Sequence, residues 1–114
     1  MKRRSVSVVI FLLTTWSAPS ISAMTWEHLL KIKKTEPVLA NFYLQGLMDG
    51  VQISNIGFYY RNKLRLYCPP ENLALNSDNL TQIIEDYQKK YSTRNTEEVS
   101  VVASLALQEA FPCK

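Results

Sequence analysis

The chain reads as all-α: a small single-domain helical bundle of about four helices, stapled by one disulfide. Three observations predict this. Apolar residues recur at three- and four-residue steps in four separate segments. A capping or helix-starting residue stands at the head of each. The only two cysteines, Cys68 and Cys113, lie far apart in a chain that opens with an export signal.

That signal occupies residues 1–23. Lys2, Arg3 and Arg4 form a basic start, Val8 to Leu13 an apolar core, and Pro19 leads to the small-residue end Ile21-Ser22-Ala23. Cleavage after Ala23 is expected. A bilayer span takes about 20 predominantly apolar residues, whereas Ser5, Ser7, Thr14, Thr15 and Ser17 crowd a short core here. No cysteine begins the mature chain, which argues against a lipoprotein, and no second apolar run is long enough for stable membrane insertion. The expected location is the periplasm.

The mature part, residues 24–114, is long enough for one compact domain and too short for two. Three of the thirteen Lys and Arg fall in the signal, so the remaining ten balance the ten Asp and Glu, all of which follow Ala23. A near-neutral domain without a basic stripe is a poor nucleic-acid binder. An even pair of cysteines in an exported chain reads as one disulfide, worth about 4 kcal/mol for a loop of this length on the chain-entropy model. Metal binding is not expected, because two distant cysteines and the single His28 cannot supply the four ligands of structural zinc.

The first helix is short, Trp26 to about Lys33, capped by Thr25, with Trp26, Leu29, Leu30 and Ile32 apolar. The second starts at Pro37, which suits a first helical turn. From Val38 its apolar positions Leu39, Phe42, Tyr43, Leu47, Met48 and Val51 carry it to somewhere near Ile53 or Tyr59. Gly46 and Gly50 stand one turn apart on one face, each costing about 1 kcal/mol relative to Ala. The return expected for that cost is close approach of another helix, for which the small Ala103, Ala106 and Ala110 of the fourth helix are candidates.

From Arg61 to Tyr67 basic residues alternate with Leu64 and Leu66, an extended-chain pattern, and Cys68-Pro69-Pro70 forbids helix. The third helix starts near Asn76, Ser77 or Asp78, with Leu80, Ile83, Ile84, Tyr87 and Tyr91 as its apolar stripe and Lys89 and Lys90 at its carboxyl end. After the turn Ser92-Thr93-Arg94-Asn95, Asn95 or Thr96 is placed to cap the fourth helix, with Glu97 and Glu98 in its first turn. Its broad apolar set runs from Val99 to Ala110, and the chain ends at Phe111-Pro112-Cys113-Lys114.

No catalytic residue and no cofactor is expected. His28 has no motif around it, Glu85-Asp86 and Glu97-Glu98 fall on polar helix faces, and Asp49 reads as a boundary hydrogen-bonding group. Nucleotide-binding glycine loops are absent. Binding is the better class. Tyr59, Tyr60, Arg61, Lys63 and Arg65 are candidate partner contacts, because Tyr and Arg anchor interfaces and the three cations can share an edge. Arg94 and Asn95, in an exposed polar turn, form a second candidate.

Three motifs come in order: Tyr43-Leu44-Gln45-Gly46-Leu47-Met48-Asp49-Gly50, Tyr67-Cys68-Pro69-Pro70-Glu71-Asn72, and the run from Ala103 through Leu105-Ala106-Leu107 to Phe111-Pro112-Cys113. The set resembles the Rap/Tai family of immunity proteins associated with bacterial type VI secretion, over nearly all of the mature chain. The resemblance implies an all-helical periplasmic protein, often a homodimer, that binds a toxic effector protein. The effector is typically a cell-wall hydrolase, a peptidoglycan amidase whose cleft the immunity protein occludes. Many members carry further cysteines upstream of the tyrosine-glycine helix, and this chain does not, so the resemblance carries over Cys68 and Cys113 alone. The alternatives from another class are an acid-stress chaperone of the HdeA type, also small, helical and disulfide-bonded, and an envelope interaction domain unrelated to toxins.

Overall fold

The computed structural model describes residues 23–92 and 96–114. All of the expected signal except Ala23, and the candidates Arg94 and Asn95, lie outside the described residues. Four helices make up the domain: α1 (Trp26–Thr35), α2 (Pro37–Asn62), α3 (Ser77–Tyr91) and α4 (Val99–Ala110). Helix α1 packs on α2, α2 on α3, and α3 on α4. No strand occurs among the described residues, and no helix among them is long and apolar enough to cross a membrane.

Thr25 caps α1, its Oγ1 accepting from the His28 N–H at 3.3 Å, and Trp26 and Leu29 enter the core. Only Glu36 separates α1 from α2. It hands its N–H to Ile32 O at 2.7 Å and takes the Ala40 N–H at 3.1 Å, while Pro37, lacking an N–H, opens the new helix.

Helix α2 has two apolar faces where a single stripe was expected. Ala40, Leu44, Met48 and Asn55 are buried with Val51 beside them, and they meet Leu80 and Ile84 of α3 and Val102, Ala103, Ala106 and Leu107 of α4 in one core. Leu39 and Phe42 instead point to solvent, 51% and 73% exposed. The helix also runs further than expected, to Asn62, where Lys63 adopts a left-handed conformation (φ 58°) and donates its N–H to Tyr59 O at 2.8 Å. Arg61 is therefore helical, and the extended chain begins only after Lys63.

Asn76 begins α3 with a reciprocal cap. Its Oδ1 accepts from the N–H groups of Asp78 and Asn79, both at 3.0 Å, and Asn79 Oδ1 accepts from the Asn76 N–H at 2.7 Å. The fourth helix starts later than its sequence suggests. Glu97 O accepts from Trp26 N–H at 3.2 Å, and Val99 N–H donates to Met24 O at 2.9 Å. This antiparallel bridge holds Glu98 extended, so Glu98 becomes the cap residue and neither it nor Glu97 lies in the first turn.

Ala103 and Ala106 are buried in the core, where α4 packs on α3. They do not reach the glycines of α2: a Cβ added at Gly46 or Gly50 would find nothing within 4 Å. The Cys68–Cys113 disulfide closes the fold with a Cα–Cα distance of 5.0 Å, beside a hydrogen bond from Cys68 N–H to Phe111 O at 2.8 Å.

Candidate functional site

Four of the sequence candidates, Tyr59, Tyr60, Lys63 and Arg65, come together at the carboxyl-terminal end of α2. The left-handed turn at Lys63 reverses the chain, so that Arg65 comes back alongside the last turns of the helix. There the Arg65 guanidinium carbon lies 5.3 Å from the Tyr59 ring centroid and Lys63 Nζ lies 6.0 Å from it, both within cation–π range. Tyr60 meets Tyr59 edge-on, with centroids 6.1 Å apart. Asn55, Ile56, Tyr59, Tyr60 and Arg65 line one open groove of about 410 Å³.

Arg61 does not join them. It lines a separate groove with Ser54, Gly57, Phe58, Asn62 and Leu66, because helical periodicity turns it away from Tyr59. The expected edge of three cations is thus an edge of two, Lys63 and Arg65, on an aromatic platform. No Asp or Glu occurs from Gly50 to Pro70. The ion pairs among the described residues, Lys31–Glu27 and Lys90–Glu109, involve none of the patch cations.

The residue that shapes this patch was not among the sequence candidates. Asn55 is buried on the core face of α2, and its side chain reads the returning backbone as a neighbouring strand would. Its Oδ1 accepts from Leu66 N–H at 2.7 Å and from Tyr67 N–H at 3.3 Å, and its Nδ2 donates to Tyr67 O at 2.9 Å. Its signal in the sequence is a polar residue continuing the spacing of Leu44, Met48 and Val51. Directly after Tyr67, the disulfide at Cys68 pins the same segment to the carboxyl terminus.

Several other polar groups are paired within the fold, while Tyr67 Oη and Gln88 Nε2 are buried without a hydrogen-bond partner among the described residues. Lys90 Nζ donates to Glu109 Oε1, tying α3 to α4. That hydrogen bond, reinforced by Tyr91, holds the Lys90 ammonium above its ordinary pKa and the Glu109 carboxyl below its own. Burial raises the phenol of Tyr67; burial and then the nearby Glu98 carboxylate raise that of Tyr43. Asp49 accepts from Gln45 Nε2 at 3.3 Å. His28 is exposed, and no group of three His, Cys, Asp or Glu among the described residues is arranged to hold a metal ion. What the arrangement offers is an exposed surface of tyrosine and cations, of the residue types that anchor interfaces.

Comparison with known proteins adds one match. The family model described as Rap1a immunity proteins matches residues 32–113, from the end of α1 to the disulfide. Nothing matches among curated proteins or among solved structures.

Proposed function

The chain belongs to the Rap1a immunity protein family, and from that premise we propose that it guards its producer in the periplasm, binding and occluding a toxic effector delivered by type VI secretion. The family match over residues 32–113 is the observation that carries this reading. The export signal read from residues 1–23 and the Cys68–Cys113 bond support the compartment, since disulfides persist in oxidising spaces.

In this reading the protein inhibits by steric plugging and performs no reaction. The effector is a cell-wall hydrolase of the peptidoglycan amidase class, and the immunity protein acts as a homodimer. Contact with the effector is assigned to Tyr59, Tyr60, Lys63 and Arg65, with Arg61 on the flank. Tyr59 and Arg65 are already stacked in the free protein, so little side-chain freedom is lost when they bind. The loop residues Arg94 and Asn95 are proposed as a second contact.

The test is co-expression with candidate periplasm-targeted hydrolases, any encoded next to this chain first, followed by calorimetry on the purified pair. Rescue of growth by the wild type is expected, with at least tenfold weaker binding for Tyr59→Ala combined with Arg65→Gln. A hydrolase that still lyses cells and forms no complex overturns the reading.

A further inference from the structure

The carboxyl-terminal end of α2 carries positive charge that the chain itself does not neutralise. All ten Asp and Glu lie within the described residues, and none falls in the stretch from Gly50 to Pro70 that holds Arg61, Lys63 and Arg65. Among the described residues no carboxylate, the chain terminus included, pairs with Lys63 or Arg65. Arg65 is exposed, with its guanidinium over the Tyr59 ring. That contact engages the face of the guanidinium and leaves its in-plane N–H groups, whose fork matches a carboxylate in a bidentate pair.

Arg65 also stands between two depressions. The open groove of Tyr59 and Tyr60 shares Asn55, Ile56 and Arg65 with a smaller pocket of about 190 Å³. The rest of that pocket is Gln52, Tyr67, Pro69, Leu73 and Leu75, apolar but for Gln52. Its volume is below the ~300–1,000 Å³ of small-molecule sites and on the scale of one side chain. The walls are set in the free protein: Asn55 bonds the backbone of Leu66 and Tyr67, and Leu73 N–H donates to Pro70 O at 3.0 Å. A cation on an aromatic ring thus borders a dry pocket, so charge and shape both select the occupant.

We propose that this end of α2 reads an acidic–apolar step in the partner protein: an Asp or Glu carboxylate pairs with Arg65, supported by Lys63, while the neighbouring apolar side chain enters the pocket at Leu73. This rests on the effector-contact surface proposed above, to which it adds the chemistry of the segment that is held. An anionic membrane fits less well. Basic clusters that hold proteins to such lipids carry roughly four to eight cations, against the two gathered on Tyr59, and a headgroup has nothing to fill an apolar pocket.

NMR titration of the oxidised, isotope-labelled mature chain with end-blocked peptides tests it, using Gly-Glu-Leu-Gly and its versions with Gln for Glu or Gly for Leu. The first is expected to shift the amides of Arg65 and Leu73 by about 5 mM, and each altered peptide to bind about tenfold more weakly. Arg65→Gln should lose the preference for Glu over Gln, and Leu73→Ser that for Leu over Gly. Both residues are exposed, so helicity should match the wild type. No shift at Arg65 by about 5 mM, or equal binding of the three peptides, overturns the inference. Equal shifts with inorganic phosphate or phosphatidylglycerol vesicles overturn it in favour of a general anion or lipid surface. These results leave the immunity reading standing wherever a co-expressed hydrolase is still neutralised; peptide recognition without neutralisation of any hydrolase overturns the immunity reading alone.

Discussion

Replacing Asn55 with Ala should cost far more than the loss of one polar side chain from a helix. The amide makes three hydrogen bonds to the backbone of Leu66 and Tyr67. Its removal strands the N–H and C=O of Tyr67, a residue only 3% exposed, where water cannot enter without displacing the segment. A buried group left without a partner costs about 1–3 kcal/mol. The Leu66 N–H is only half-buried and recovers part of its loss from water, and the 3.3 Å bond is the weakest of the three. The net expectation is a loss of about 3 kcal/mol, a large fraction of the ~5–15 kcal/mol of a small domain. Urea unfolding of the oxidised protein measures it, with Asn62→Ala as the control: Asn62 is exposed and bonds only within its own helix, to Phe58 O, and should cost less than about 0.5 kcal/mol. Amide exchange at Leu66 and Tyr67 should accelerate in Asn55→Ala and not in the control. A loss below about 1 kcal/mol with unchanged exchange would refute the strand-like role of Asn55.

Replacing Cys68 and Cys113 together with Ser should lower stability by about 4 kcal/mol, as expected for a bond closing 45 residues; chemical denaturation that finds under about 1 kcal/mol would show that the open chain is already constrained. The pair Lys90–Glu109 predicts a pH signature. Because the Glu109 carboxyl is held below its ordinary range, its contribution is present above that range and lost as pH falls through the lowered value. Lys90, held above its ordinary range, contributes below that range and loses its contribution as pH rises through the raised value. The melting temperatures of wild type and Glu109→Gln should therefore differ most near neutrality and converge in acid and in strong alkali, with the gap shrinking in salt because both side chains are exposed. A gap independent of pH would refute the assignment.

The sequence made the helices legible wherever local chemistry decides the structure. Thr25, Pro37 and Asn76 begin α1, α2 and α3 because their side chains or ring meet the needs of a first turn, whatever lies elsewhere. It misled where a distant segment decides. Asn95, Thr96, Glu97 and Glu98 carry good starting chemistry, yet Met24 and Trp26 capture the backbone of residues 97–99 and delay α4. The site divided along the same line. Tyr59, Tyr60, Lys63 and Arg65 were readable as interface residue types, but the separation of Arg61 depends on α2 continuing to Asn62, which a left-handed lysine cap concealed. The glycines read as a packing face for the fourth helix, yet Gly46 and Gly50 border an open groove beside Ser100 and Ser104, and which of two apolar stripes of α2 is buried decides that.

The two pins on the segment after α2 give the patch a property that an occluding binder needs. A plug that performs no reaction must hold its target by contact alone, and every side chain or loop ordered on binding subtracts about 0.5–1.5 kcal/mol from that contact. Residues 64–67 have no helix to order them, and Leu64 is 64% exposed. Left free, the segment would carry Arg65 through many positions. Asn55 fixes its backbone from the helix side and Cys68–Cys113 from the terminus, so that Arg65 rests on Tyr59 before any partner arrives. The disulfide therefore does two jobs with one bond. It stabilises a small core, and it holds the proposed contact surface in its binding geometry, so that on the proposed reading reducing it weakens effector binding as well as stability.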